Sequence, residues 1–249
     1  MAEASSWPVW AVPQGAMEHW LADYARELGE FTFTPGMLFG SLETWWGPCS
    51  ARHTPHEGVD FYTYRNVAGA QCTLQPGMPV RSVLGGTVVA VFMDFIGSTV
   101  AICHPDVTQD GRTLHTVFGH VTPEVAAGQA VVAGQRSATV APSSRRAPAH
   151  LHLTACWLPT GVRDFAFGWG ALAGPPALLA DPMPIAERQI LQRPPFDPDP
   201  RVGPGRARPQ TGSTAPRAPP ATADPTAQTD PTDSPPAQGT TQGTGGTTQ

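Results

Sequence analysis

Histidine and aspartate side chains concentrate at a few places in this sequence, and residues of these types suit a metal. One cluster reads His53-Thr-Pro-His56-Glu-Gly-Val-Asp60, a second reads His150-Leu-His152, and His115-Thr-Val-Phe-Gly-His120 lies between them. A catalytic zinc needs three protein ligands from His, Asp or Glu and an open position for water. His56, Asp60 and one member of the 150/152 pair meet that count, and the spacing leaves open which member it is. The other member and His120 are then free to take a proton from the water and to stabilise an oxyanion.

These roles depend on the elements that carry the residues. Residues i and i+2 of a strand project from one face, so His150 and His152 can aim at the same spot. His56 and Asp60 would share a face on a helix, but Gly58 followed by Val-Asp-Phe-Tyr-Thr-Tyr predicts a turn entering a strand. That context also removes Glu57 from the general-base role it would hold in a helical His-Glu motif. His53, His104 and His115 are expected to be structural or solvent-facing. Cys156, on the same strand face as His152, is expected to be a core thiol and not a ligand.

Met17, Trp20, Leu21, Tyr24 and Leu28 recur at helical spacing and predict an amphipathic helix over 17–28. Residues 31–48 are rich in aromatics and glycine and read as loop with short extended pieces lying against the main domain. From Gly58 to Leu158 the pattern becomes short β-branched or aromatic runs between turn residues. It predicts strands at Val59–Tyr64, Val80–Val83, Thr87–Met93, Thr99–His104, Thr113–Phe118, Ala130–Val132 and His150–Trp157. Ile185–Leu191 is read as one further helical turn. After Val202 the chain has no Val, Ile, Leu, Met or aromatic residue, and such a tail cannot bury enough surface to offset its ordering entropy.

Composition narrows the partners. The 15 basic residues are all Arg, and the net charge is -5 with no basic block, which argues against a nucleic-acid backbone as partner. The four cysteines contain no Cys-x-x-Cys pair, so a zinc ribbon is excluded, while two disulfides are permitted. Met1 to Ala16 lacks the basic start and apolar run of a signal peptide, and no stretch approaches the roughly 20 apolar residues of a membrane span.

Order, spacing and surroundings together resemble peptidase family M23, the lysostaphin-type or LytM-like endopeptidases, over most of residues 50–182. His56-Glu-Gly-Val-Asp60-Phe61 is similar to the family's first motif, His-x-Gly-hydrophobic-Asp-hydrophobic. Phe118-Gly-His120-Val121 resembles its aromatic-Gly-His-Leu element, with Phe in place of the usual Tyr. Ala149-His-Leu-His-Leu153 resembles its terminal His-Leu-His-Phe motif, and Asp181-Pro182 the close of its domain. The glycine-rich stretch that usually precedes the last motif has no counterpart in the loop Arg136–Pro148.

The resemblance implies a mainly β, two-layer antiparallel sandwich-like fold (the duplicated hybrid motif), here with an N-terminal helix and a disordered C-terminal tail. It implies zinc held by His56, Asp60 and His152, with His120 and His150 assisting catalysis. The implied reaction is hydrolysis of peptide crosslinks in peptidoglycan by a zinc-activated water. The partners are then peptidoglycan peptide stems, and the expected location is the cell envelope or outside the cell. The alternative is a non-catalytic domain of the same fold that binds cell wall or activates a hydrolase. The expected divisions are an N-terminal helix and aromatic-rich lead-in over 1–48, the metallopeptidase domain over 49–193, and a Pro/Thr/Gly/Gln-rich tail over 194–249. A chain ending near residue 195 is expected to keep its fold, its zinc and its cleavage rate, measured against the full chain.

Overall fold

The computed structural model describes residues 10–47, 50–145, 147–162 and 165–183. The expected helical turn at Ile185–Leu191 and the tail over 194–249 lie outside these residues.

The first element is helix α1, Gln14–Glu27. It starts after Pro13, the N-cap residue, and ends at Gly29, which takes the positive φ that other residues disfavour. Met17, Trp20 and Tyr24 form its buried stripe. Its anchors are polar as well as apolar: Trp20 Nε1 donates to the Arg81 carbonyl at 2.8 Å and the Tyr24 hydroxyl to the Pro79 carbonyl at 2.9 Å.

Most of the remaining regular structure is antiparallel β. Strands β1 (Glu30–Thr32), β3 (Thr63–Arg65) and β4 (Gln71–Thr73) make a three-stranded sheet in the order β1-β3-β4. A nine-stranded sheet holds β2 (Val59–Phe61), β5 (Pro79–Arg81), β6 (Gly86–Met93), β7 (Ser98–Gln109), β8 (Arg112–Pro123), β9 (Ala130–Val131), β10 (Arg136–Val140), β11 (Leu151–Pro159) and β12 (Leu178–Ala180). A short helix α2, Trp169–Leu172, follows β11. The mainly β antiparallel fold with an N-terminal helix therefore stands.

Particular elements differ from the sequence expectation. The single strand expected over Val59–Tyr64 is divided at Tyr62, because β2 pairs with β11 while β3 pairs with β1 and β4. The stretch Arg136–Pro148, expected as a loop, opens with β10, which pairs with β5 and β8. Its Arg-Ser-Ala-Thr-Val sequence carries only one large apolar residue, so periodicity gave no signal.

The central strands are covered on both faces. Leu114 and Phe118 of β8, with Leu151, Leu153 and Trp157 of β11, join α1, Phe31 and Phe33 in one apolar cluster. The alternate residues Val117, Cys156 and Leu158 pack under Leu172 and Ala177, with Phe165, Phe167 and Trp169 alongside. Period-2 alternation thus feeds two cores at once.

Two buried histidines belong to this framework. His104 bonds the Gly85 carbonyl through Nδ1 at 2.9 Å and the Thr116 hydroxyl through Nε2 at 2.8 Å. His115 donates from Nδ1 to the Thr113 carbonyl at 3.0 Å. Burial pushes both below the usual imidazole range, His115 to about 4. Between the unfolded value of about 6.5 and about 4 the unfolded chain therefore binds more protons, so stability is lost as pH falls through that window. The urea midpoint of metal-free protein is expected to drop across it, and His115→Gln is expected to flatten the dependence.

Candidate metal centre

The two motifs meet through strand register. In the β2–β11 pair Asp60 lies directly opposite His152, and in the β8–β11 pair His152 lies opposite Gly119. Residues 92 positions apart in sequence thus become cross-strand neighbours: the His152 Nδ1 to Asp60 Oδ1 separation is 2.7 Å. Phe61, one residue on, turns to the other face and packs edge-on against Trp20, Phe31 and Phe33. That aromatic cluster fixes the face on which Asp60 emerges.

Gly58 explains how His56 reaches the same point. A Cβ at Gly58 would stand 2.4 Å from the Leu153 carbonyl oxygen and 2.8 Å from His152 Nε2. Only a bare backbone lets the turn pass this close to β11, which is the physical content of the glycine in the first motif.

His56 Nε2 lies 3.2 Å from His152 Nδ1 and 3.3 Å from Asp60 Oδ1. A tetrahedral site with bonds of about 2 Å has edges of about 3.3 Å, so these separations suit one small ion. The outer bonds turn the lone pairs inward. His56 Nδ1 donates to the Leu38 carbonyl at 3.1 Å, and His152 Nε2 meets the Thr154 hydroxyl at 2.8 Å. The second oxygen of Asp60 accepts from Trp45 Nε1 at 2.7 Å and lies 3.5 Å from Arg52. Among the described residues this is the one trio of His, Cys, Asp or Glu whose donor atoms converge. With two imidazoles, one carboxylate and an outer partner on each, the residues fit a divalent transition metal.

His150 and His120 border the trio without joining it. His150 is tied through Nδ1 to the Pro148 carbonyl at 2.8 Å, which leaves Nε2 pointing toward Asp60 Oδ1 at 3.6 Å. The His120 ring stands 4.7 Å from that of His150 and 5.7 Å from that of His152. All five sequence-predicted side chains are at least nine-tenths buried and line one cleft of about 180 Å³. Trp46, Phe95 and Trp169 form its apolar walls, with Arg52 and Glu57 beside them.

Burial opposes the charge on Asp60, and the surrounding histidines outweigh it, holding the carboxyl well below its usual range. Burial pushes His150 and His152 down, His150 to about 4. Both imidazoles are therefore neutral at pH 7, as a ligand or a proton acceptor must be.

The other candidates stand apart. His53 is exposed, and His104 and His115 are bonded within the sheet as described. Cys156 is a buried thiol pushed up to about 12 by burial, and Cys72 and Cys103 are also free. Cys49 lies outside the described residues. Trp45, Arg52 and Trp169 were not legible as site residues, and Thr154 was overlooked. Trp45 and Arg52 lie on irregular backbone before the first motif, and Trp169 comes from beyond β11. Thr154 alone carried a signal, its i+2 spacing from His152.

The family model for Peptidase family M23 matches residues 54–157, from just before His56 to the strand that carries His150 and His152. The chain carries a domain of peptidase family M23. Among solved structures, the M23 domain is similar to the catalytic domain of the antimicrobial peptidase lysostaphin from Staphylococcus simulans, at 20% identity over 56% of this chain and 84% of that one, TM-score 0.37. It is also similar to the catalytic domain of a mutant of the prophage-encoded M23 protein EnpA from Enterococcus faecalis, at 23% identity over 52% and 88%, TM-score 0.33. A zinc containing peptidase from Vibrio cholerae matches at 24% identity over 51% of this chain and 37% of that one, TM-score 0.34. No curated protein matches the chain.

The outer bonds around the three converging side chains are open to test. Trp45→Phe keeps a ring against Tyr62, stacked at 4.7 Å, but removes the N–H that holds Asp60. It is expected to weaken metal binding about 10- to 100-fold in a chelator competition, with the fold retained.

Proposed function

We propose that the M23 domain is a zinc metalloendopeptidase that hydrolyses peptide crosslinks of peptidoglycan. The observation that carries this reading is the convergence of His56 Nε2, Asp60 Oδ1 and His152 Nδ1, with every other polar atom of the three occupied by an outer bond. These residues would hold the zinc. When bound, the ion supplies a Lewis acid for a carbonyl oxygen and lowers the pKa of a water.

The remaining steps fall to the two free histidines. With Nδ1 committed to Pro148, neutral His150 offers its Nε2 lone pair to the cleft and takes a proton from the attacking water. His120, across the same opening, stabilises the oxyanion of the tetrahedral intermediate, and the two histidines return a proton to the departing amine nitrogen. The amide bond breaks, and water has supplied a hydroxyl to one fragment and a hydrogen to the other. The apolar walls from Trp46, Phe95 and Trp169 limit water and sharpen these electrostatic effects. A peptide-stem substrate and a site of action in the cell envelope follow from this reading. Among the described residues no helix is long and apolar enough to cross a membrane.

Purified protein is expected to carry about one zinc per chain and to clear sacculi in a zymogram, with activity lost to a chelator. The two members of the 150/152 pair should separate cleanly. His152→Ala is expected to lose zinc and cleavage together, whereas His150→Ala should keep zinc and lose about 10²- to 10⁴-fold in kcat. Full cleavage by His152→Ala would overturn the assignment.

A further inference from the structure

His120 occupies an unusual place in its strand. Between the pairs Ser98↔Val121 and Val100↔Phe118, β7 advances two residues and β8 three, so β8 carries a bulge there. At the same point β8 changes partners, from β11 at Gly119 to β10 at Val121. His120 takes a φ of +63°, a left-handed conformation that a residue with a Cβ rarely adopts. Gly119 shares the face of His152, so strict alternation would send His120 to the opposite face. The bulge instead turns its ring beside His150 and His152.

What holds this bend is a carboxylate from another hairpin. The Asp94 side chain is 0% exposed and divides its two oxygens between two tasks. Oδ1 accepts from the Ile96 and Gly97 amides, both at 2.7 Å, and closes the β6–β7 turn. Oδ2 accepts from the Thr99 hydroxyl at 2.9 Å and from the His120 backbone amide at 2.8 Å. His120 Nδ1 lies 3.2 Å from the same oxygen, within ion-pair reach but off the line of a hydrogen bond. A closed turn needs Oδ1 alone; nothing in the turn requires Oδ2 to reach residue 120.

We infer that Asp94 is a positioning residue: through Oδ2 it fixes the left-handed bulge at His120 and so aims that imidazole into the cleft. The catalytic part of this inference rests on the reading of His120 given above. Asp94→Asn separates the two tasks, since an amide keeps one acceptor for the turn but presents N–H₂ to the His120 amide, which cannot turn away.

The measurements are amide hydrogen exchange on the folded protein, zinc content, and kcat and KM on soluble muropeptides for the parent, Asp94→Asn, His120→Ala and the double variant. In Asp94→Asn the His120 amide is expected to exchange about tenfold faster or more while Ile96 and Gly97 stay protected. The kcat is expected to fall about tenfold or more, with KM within about twofold and zinc retained. In the His120→Ala background the Asp94 substitution should change kcat by less than about twofold, because its effect passes through His120. An equal loss in both backgrounds would show a merely structural role and overturn the inference, as would an unchanged His120 amide. The exchange experiment needs no substrate. A chain that cleaves nothing overturns the peptidase reading and with it the effect of Asp94 on kcat, whereas the hold on His120 is still read directly.

Discussion

A single buried carboxylate, Asp60, sets the terms for the rest of the site. Taking an ionised carboxylate out of water costs several kcal/mol unless charge and hydrogen bonds return what solvent provided. Here one oxygen faces three imidazoles, at 2.7 Å from His152, 3.3 Å from His56 and 3.6 Å from His150. The other receives the Trp45 indole and the flank of Arg52. Those contacts leave little freedom to the parts that make them. The aromatic cluster behind Phe61 sets which way Asp60 points, and the β2–β11 register places His152 opposite it. Gly58 admits the turn that brings His56. A one-residue slip of β2 would bury Asp60 among Trp20, Phe31 and Phe33 and bring Phe61 to the histidines, so site and core impose the same register.

The N-terminal segment enters through the same carboxylate. An aromatic-rich stretch before an M23 domain, with Trp46 lining the cleft, invites comparison with a plug. Its contacts give it a different part. Leu38 fixes the tautomer of His56, Trp45 holds Asp60, and Met17, Trp20 and Phe33 share a core with the sheet. A segment that supplies outer bonds to two of the three converging side chains cannot be lifted away and leave them as they were. Residues 12–46 are thus structurally continuous with the site they border.

How much of this could be read from sequence follows from how local each interaction is. The His-x-x-x-Asp and His-x-His spacings were legible because each is set within one turn or one strand, and period 2 alone puts His150 and His152 on one face. The long strands β7 and β8 were found but cut short, since Pro105 to Gln109 and Gly119 to Pro123 lose the apolar alternation on which strand reading depends. β10 escaped notice for the same reason. Trp45 and Asp94 could not be found that way: one meets its partner across 15 positions and the other across 26. Asp94 gave half a signal. Asp-Phe-Ile-Gly between two strands reads as a turn closed by a carboxylate, and only the fold shows that its second oxygen serves a histidine on another strand.

Placing His120 in a bulge at φ +63° carries a physical consequence for the whole cleft. A regular strand would satisfy every backbone group through its neighbours, but it could not turn Gly119 and His120 toward the same opening. The bulge achieves that and leaves the His120 amide in need of an acceptor, because β8 is passing from one partner strand to another there. Asp94 meets the need from the β6–β7 turn, while the His120 carbonyl accepts from Ala141 at 2.9 Å, just beyond β10. Phe95, the residue after Asp94, then packs edge-on against the His120 ring at 4.8 Å. One turn therefore supplies both the carboxylate that holds the bend and the apolar wall that shields it, so a movement of that turn would shift the imidazole and the cleft wall together.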